Sequence, residues 1–180
     1  VADGNHWKVK KFNASGKHLL EWGSRTMFPS LDAIAVDTVG DVYVSDTRKN
    51  LIYRFDSNGN LLAKWGAGRG FGLAVDNRGY VYVADIAGDK VDKYTTSGDK
   101  VTSFNVKSSW GIAVDDRDKC KEPNVYVISQ TYYRIMKFSD PRGRKDTVPK
   151  GKARLAYVRG DRSNEGKSHG FRKRRTVLGD

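Results

Sequence analysis

A unit of four short strand-like runs returns along this chain at intervals of about forty residues, and few folds can be built on such a repeat. In its clearest copy the runs are Ala33 to Asp37, Asp41 to Asp46, Leu51 to Phe55 and Leu61 to Gly66. Each is short, rich in β-branched and aromatic residues, and bounded by turn residues, which is the pattern of a strand. Asn58-Gly59 lies between the third and fourth runs, a hairpin signal because both residue types tolerate positive φ. Ala35-Val36-Asp37 returns as Ala74-Val75-Asp76 and as Ala113-Val114-Asp115, 39 residues apart each time. Val42-Tyr43-Val44 returns as Val81-Tyr82-Val83 and as Val125-Tyr126-Val127. Four antiparallel strands per period predict an all-β fold, a β-propeller whose blades are four-stranded sheets packed face to face.

The repeat also sets the expected domain boundaries. Val1-Ala2-Asp3 aligns with Val44-Ser45-Asp46, so the chain is expected to open at the end of a second strand and to complete half a blade over residues 1–23. Blades follow over about 31–66, 71–106 and 110–143, making about three and a half in all. Alternation puts Ile34 with Val36, and Val42 with Val44, on shared faces and predicts an aliphatic blade core. Trp22 and Trp65, at the ends of fourth strands, are expected to cover the core edges. Beyond Gly143 the repeat dissolves into a basic tail, with a degenerate strand near 153–158.

The strings Ala35-Val36-Asp37, Val42-Tyr43-Val44-Ser45-Asp46, Tyr53-Arg54-Phe55-Asp56-Ser57-Asn58-Gly59-Asn60 and Lys64-Trp65-Gly66 resemble the NHL repeat, over roughly Val1 to Gly143. That resemblance implies a six-bladed propeller used mostly as a binding scaffold for proteins or RNA, with a minority of lyases. The present blades are then expected to be part of a larger ring, or to form an incomplete propeller that closes by pairing with a second copy.

Charge and side-chain inventory narrow the function. Residues 1–144 hold 22 Lys and Arg against 17 Asp and Glu, and residues 145–180 hold 11 against 4, so the basic excess is concentrated in the tail. Arg172-Lys173-Arg174-Arg175 in the tail suits a localisation signal or a polyanion contact. No apolar run approaches the roughly 20 residues of a membrane span, and no targeting segment is visible, which leaves localisation open. Cys120 is the single cysteine, which excludes an internal disulfide framework. Asp115, Asp116 and Asp118 crowd one loop but lack the ligand spacing of an EF-hand, so a solvated loop is expected. Asn13-Ala14-Ser15 fits a glycosylation acceptor, and its place in a hairpin reads first as turn chemistry. His6, His18 and His169 show no metal-ligand spacing. No nucleophile elbow, phosphate loop or dinucleotide fingerprint is present, so no catalytic residue, metal or cofactor is assigned.

The expected site is therefore a surface. In a propeller the turns joining second to third strands and the connections between blades emerge on one side. Here the first set carries His6-Trp7, Arg48, Lys49, Lys90, Tyr132 and Tyr133. The second carries Arg25 with Phe28, Arg69 with Phe71, and Lys107 with Trp110. Basic and aromatic residues thus share one face, with Arg25, Arg48, Lys49, Arg69, Phe71, Trp110, Tyr132 and Tyr133 as the candidate binding residues. The expected function is a non-catalytic scaffold for a protein partner, since Arg, Tyr and Trp dominate interface hot spots. RNA or another polyanion is the alternative. The second alternative is a metal-dependent lyase of the amidating-lyase type, a branch whose Val-Ser-Asp-Gly context resembles Val1-Ala2-Asp3-Gly4. The histidine ligands that branch draws from several blades have no counterparts in the three matching first strands.

Overall fold

The computed structural model describes residues 1–117 and 123–139. Fourteen strands and no helix occur among them, arranged as four antiparallel sheets in chain order. The first sheet contains β1 (Ala2–Asp3), β2 (Lys8–Phe12) and β3 (His18–Trp22). The second contains β4 (Leu31–Val36), β5 (Val42–Asp46), β6 (Leu51–Phe55) and β7 (Leu61–Gly66). The third contains β8 (Gly70–Val75), β9 (Val81–Asp85), β10 (Lys90–Tyr94) and β11 (Lys100–Asn105), and the fourth β12 (Ser109–Asp115), β13 (Asn124–Ser129) and β14 (Arg134–Ser139). Each sheet is a simple meander, and the leading strands β4, β8 and β12 lie next to one another along its inner edge. Ala2 pairs with Val9 as Ser45 pairs with Ile52, which identifies β1 as a second strand. A fourth strand for the last sheet, the degenerate strand near 153–158, Cys120, Asp118 and the basic tail lie outside the described residues.

Alternation along each second strand sends neighbouring side chains into different interfaces. Val42 and Val44 pack with Val9, Phe28, Tyr53 and Phe55 between the first and second sheets. Tyr43, one position over, packs with Trp65, Val81, Val83 and Tyr94 between the second and third, and Tyr82 with Val125 and Val127 between the third and fourth. The core is mainly aliphatic, as expected, with aromatic side chains such as Tyr43, Tyr82, Phe28 and Phe55 set among the valines, while Val36 is exposed. Burying one such side chain contributes about 1.5–3 kcal/mol.

Two acidic positions fix the turns at the edge opposite the connections. Asp37 accepts the N–H groups of Val39 (3.1 Å) and Asp41 (2.9 Å) and the Tyr43 hydroxyl (3.1 Å). Asp76 repeats this with Arg78 (3.0 Å), Tyr80 (2.9 Å) and Tyr82 (3.0 Å). In the third copy Asp115 pairs with Arg117 instead, at 2.8 Å. The Asn58-Gly59 hairpin differs from expectation: Gly59 alone is left-handed, at φ 83°, and the register shifts between Arg54 and Phe55. Asp56 explains the change, because it accepts from the N–H groups of Asn58 and Asn60 and so sets a wider turn. Asn13 serves its turn in the same way, accepting from Ser15 and Lys17.

Candidate binding rim

The second-to-third-strand turns and the sheet-to-sheet connections do emerge together, because the start of each leading strand pairs with the end of its second strand: Leu31 with Asp46, Gly70 with Asp85, Ser109 with Ser129. Buried aspartates anchor this rim. Asp46 accepts the N–H groups of Arg48 (2.9 Å) and Lys49 (3.0 Å). Asp85 accepts those of Arg69 (3.0 Å) and Gly88 (3.1 Å), and so ties a connection to the neighbouring turn. Asp3 accepts from His6 N–H, and its bond from Lys10 Nζ at 2.7 Å pulls its carboxyl down to about 2. Where the fourth sheet has Ser129, the hydroxyl donates to the Lys107 carbonyl (2.6 Å).

Bulges decide what projects at the mouth of the inner edge. Register jumps from Leu31 to Ala33, from Gly70 to Gly72 and from Ser109 to Ile112, which leaves Asp32, Phe71 and Trp110 beside the ladder. Bulges re-aim side chains in this manner. Phe71 and Trp110 stack at 4.6 Å between centroids, 18° from parallel. Gly72 permits the approach, since a Cβ there would come within 2.5 Å of the Trp110 carbonyl oxygen. Trp110 stays 40% exposed. Asp32 is exposed, and accepts hydrogen bonds from the Ser30 hydroxyl (3.0 Å) and from Thr47.

The rim arginines lie against rings. Arg69 sits 5.9 Å from the centre of Phe71, Arg25 5.3 Å from Trp7, and Arg134 4.5 Å from Tyr132. Such contacts contribute about 0.5–1 kcal/mol when exposed. Among the described residues none of Arg25, Arg48, Arg69 and Arg134 has a carboxylate within 4.0 Å, and Nε of Arg134 is buried without a hydrogen-bond partner. The rim lysines differ. Lys49 donates to the Thr26 (2.6 Å) and Met27 (3.2 Å) carbonyls, and Lys90 contacts Asp92 (3.1 Å) and Asp85 (3.8 Å). Phe28, expected beside Arg25 on the rim, is instead fully buried between the first two sheets.

The last residue of each second-to-third-strand turn is left-handed: Trp7 at φ 54°, Asn50 at 54°, Asp89 at 52° and Tyr133 at 48°. Asn and Asp tolerate this conformation and aromatic residues rarely adopt it. Tyr133 is nonetheless 86% exposed, and with Ser108, Gln130 and Thr131 it lines an open cavity of about 400 Å³. The sequence pointed to Tyr132 and Tyr133 but missed Arg134, which reads simply as the start of a strand. It also missed the pairing of Arg25 with Trp7, which depends on how the first connection folds over the first turn.

At the opposite edge Asp116 is held by Asn77, whose Nδ2 donates to its carbonyl oxygen at 2.9 Å, and Asp115 by Arg117. No cluster of three or more His, Cys, Asp or Glu able to hold a metal ion occurs among the described residues.

No family model and no curated protein matches the chain. Solved structures do. A protein of unknown function from Bacteroides caccae aligns over 77% of this chain and 52% of its own, with TM-score 0.58 and 14% identity. Streptogramin B lyase aligns over 77% and 49%, with TM-score 0.56 and 15% identity. A functionally unknown protein from Desulfotomaculum acetoxidans aligns over 73% and 44%, with TM-score 0.57 and 16% identity. This chain spans about half the length of these structures. At such identities the likeness shows the fold alone, and it is a propeller-like all-β fold built from antiparallel blades.

Proposed function

We propose that the chain is an NHL-type propeller segment that acts as a binding scaffold, holding a protein partner against its rim. One observation carries the reading: four rim arginines lack carboxylate partners among the described residues, and three of them lie against aromatic rings, Arg69 against Phe71 of the stacked Phe71 and Trp110. Guanidinium and aromatic groups concentrated on one surface are the composition of interface hot spots. Structures with this fold include a lyase and a luciferin-regenerating enzyme, so the fold alone does not separate binding from catalysis. The rim is what supports the binding reading.

The test is selection of random displayed peptides on the 180-residue chain, with Arg48→Ala/Arg69→Ala/Trp110→Ala as comparator. Peptides enriched on the parent should lose about tenfold or more in affinity on the triple variant. Enriched peptides that bind both proteins equally would remove the rim as the site. Tight, rim-dependent binding of oligouridine with a steep salt dependence would move the reading to RNA.

A further inference from the structure

We infer that the partner feature this rim recognises is an acidic peptide segment carrying aromatic side chains, an inference that rests on the binding reading above. Apart from Arg48 and the exposed Lys107, which have neither kind of contact among the described residues, the rim's cations fall into two groups. Lys49 is bound to two backbone carbonyls and Lys90 to two aspartates, so neither ammonium is free to meet a ligand. The guanidinium groups of Arg25, Arg69 and Arg134 are oriented by rings and lack carboxylate partners among the described residues. A guanidinium that meets a ring rather than a carboxylate keeps N–H donors for a ligand, through the terminal nitrogens alone in Arg134, whose Nε is buried, and such a planar donor set matches a carboxylate in bidentate fashion. The three belong to different parts of the repeat: the connection after the first sheet, the connection after the second, and the fourth sheet.

A single-stranded nucleic acid offers the same guanidinium groups a phosphate at every nucleotide. Here that regularity is a disadvantage, because the exposed carboxylates Asp32 and Asp89 share the rim with the arginines. Asp32 sits at the bulge position that Phe71 and Trp110 occupy in the next two sheets, and Asp89 ends the turn below Ser108, whose N–H it accepts at 2.7 Å. A phosphate track crossing these sites meets like charge, whereas a peptide can place Glu or Asp opposite the arginines and neutral residues opposite the aspartates. The aromatic component follows from Trp110. Phe71 stacks on its indole, 40% of the residue remains exposed, and Tyr133 is more exposed still. An aromatic side chain of the partner can extend that stack.

Fluorescence titration of the 180-residue chain with a random Glu/Tyr copolymer tests this, with a Lys/Tyr copolymer and oligouridine as comparators. The Glu/Tyr copolymer should bind best. Arg25→Ala, Arg69→Ala and Arg134→Ala should each weaken it about five- to tenfold. The matching Lys variants, which keep the charge without the fork, should recover about half of that loss on a logarithmic scale. Arg54→Ala and Arg117→Ala, at the opposite edge, should leave affinity unchanged. A melting curve on each variant separates loss of binding from loss of fold. Equal binding of the two copolymers, or tighter rim-dependent binding of oligouridine, overturns the proposal. If the Glu/Tyr copolymer fails while displayed peptides still bind through Arg48, Arg69 and Trp110, the acidic class alone is wrong. If both fail, so is the binding reading.

Discussion

At the blade edge where first strands turn into second, Arg54 places two nitrogens on Asp41 at 2.6 and 2.9 Å, and Arg117 closes on Asp115 at 2.8 and 3.0 Å. At the rim, Arg25, Arg69 and Arg134 lie against rings without a carboxylate partner among the described residues. Both edges belong to the same strands and use the same residue type. The first edge neutralises its arginines and uses its aspartates to cap turns, so its charges serve the fold. The rim buries Asp46 and Asp85 beneath the surface for that purpose and leaves the guanidinium groups for something else.

The sharpest way to break this contrast is to remove a cap from the structural edge. Asp76 is 2% exposed and accepts three hydrogen bonds, so Asp76→Ala leaves two backbone donors and the Tyr82 hydroxyl without it. We expect a loss of about 2–4 kcal/mol in urea unfolding. Asp115→Ala, which removes a solvent-screened ion pair to the exposed Arg117, should cost much less. Equal losses at the two sites would show that the three hydrogen bonds to Asp76 hold the turn no more firmly than the Asp115–Arg117 pair does.

Acid titration addresses the next effect in size. Burial works against ionisation of Asp92, yet hydrogen bonds from Lys100, Ser103 and Lys90 reverse that and leave its carboxyl below the usual range. A carboxyl depressed in the folded state contributes stability above its unfolded value of about 3.9, and that contribution is lost as pH falls through the lower folded value. Stability should therefore decline below about pH 4, and Asp92→Asn should lower it at pH 7 by about 2 kcal/mol while flattening the decline. A decline of the same steepness in the variant would assign it to other carboxylates. The same ion pairs occupy Lys90 and so help to separate rim lysines from rim arginines.

How much of this was legible in the sequence depended on whether repetition carried the signal. The strands and the aspartates at 37, 46, 76 and 85 recur in register, and each copy confirms the others. The aliphatic part of the core follows from the pattern, whereas its aromatic part does not, because the tyrosines of Val42-Tyr43-Val44 and Val81-Tyr82-Val83 face the interface opposite to their valines, and both interfaces are buried. The Asn58-Gly59 turn was misjudged because Asp56, two residues upstream, captures the backbone. On the rim, residue type showed which positions carry charge but not which charges are spent: Lys49 ends on carbonyls 22 and 23 residues away, a pairing no local pattern encodes. The bulges that set Phe71 and Trp110 against each other arise from strand pairing, although glycines on either side of Phe71 and after Trp110 were their visible trace. The left-handed turn position could have been found, since Asn50 and Asp89 mark it in two of four copies.

That position offers a reciprocal exchange. Tyr133 adopts φ 48° where Asn50 adopts 54°. A left-handed conformation costs most L-residues about 1–2 kcal/mol and Asn less. Tyr133→Asn should raise stability by about 1 kcal/mol, and Asn50→Tyr should lower it by a similar amount. If Tyr133→Asn destabilises, the tyrosine is held by packing and its exposure does not signal a surface kept for a partner.

The smallest expected effect is the most direct measure of the difference between the edges. Arg54 is partly buried, converges with two nitrogens on one Asp41 carboxylate oxygen and lies 5.9 Å from the Tyr43 ring, so its truncation removes a doubly hydrogen-bonded ion pair and packing over a core residue. Arg54→Ala should cost about 1–2 kcal/mol after allowance for its exposure. Arg69 and Arg25 are exposed and have only their ring contacts to lose, as little as about 0.5 kcal/mol each. Their substitution to Ala should therefore leave urea midpoints within about 0.5 kcal/mol of the parent. Parallel unfolding curves of the three variants decide the matter: a rim arginine that destabilises as much as Arg54 is part of the scaffold, and the rim would then have no charge set aside for binding.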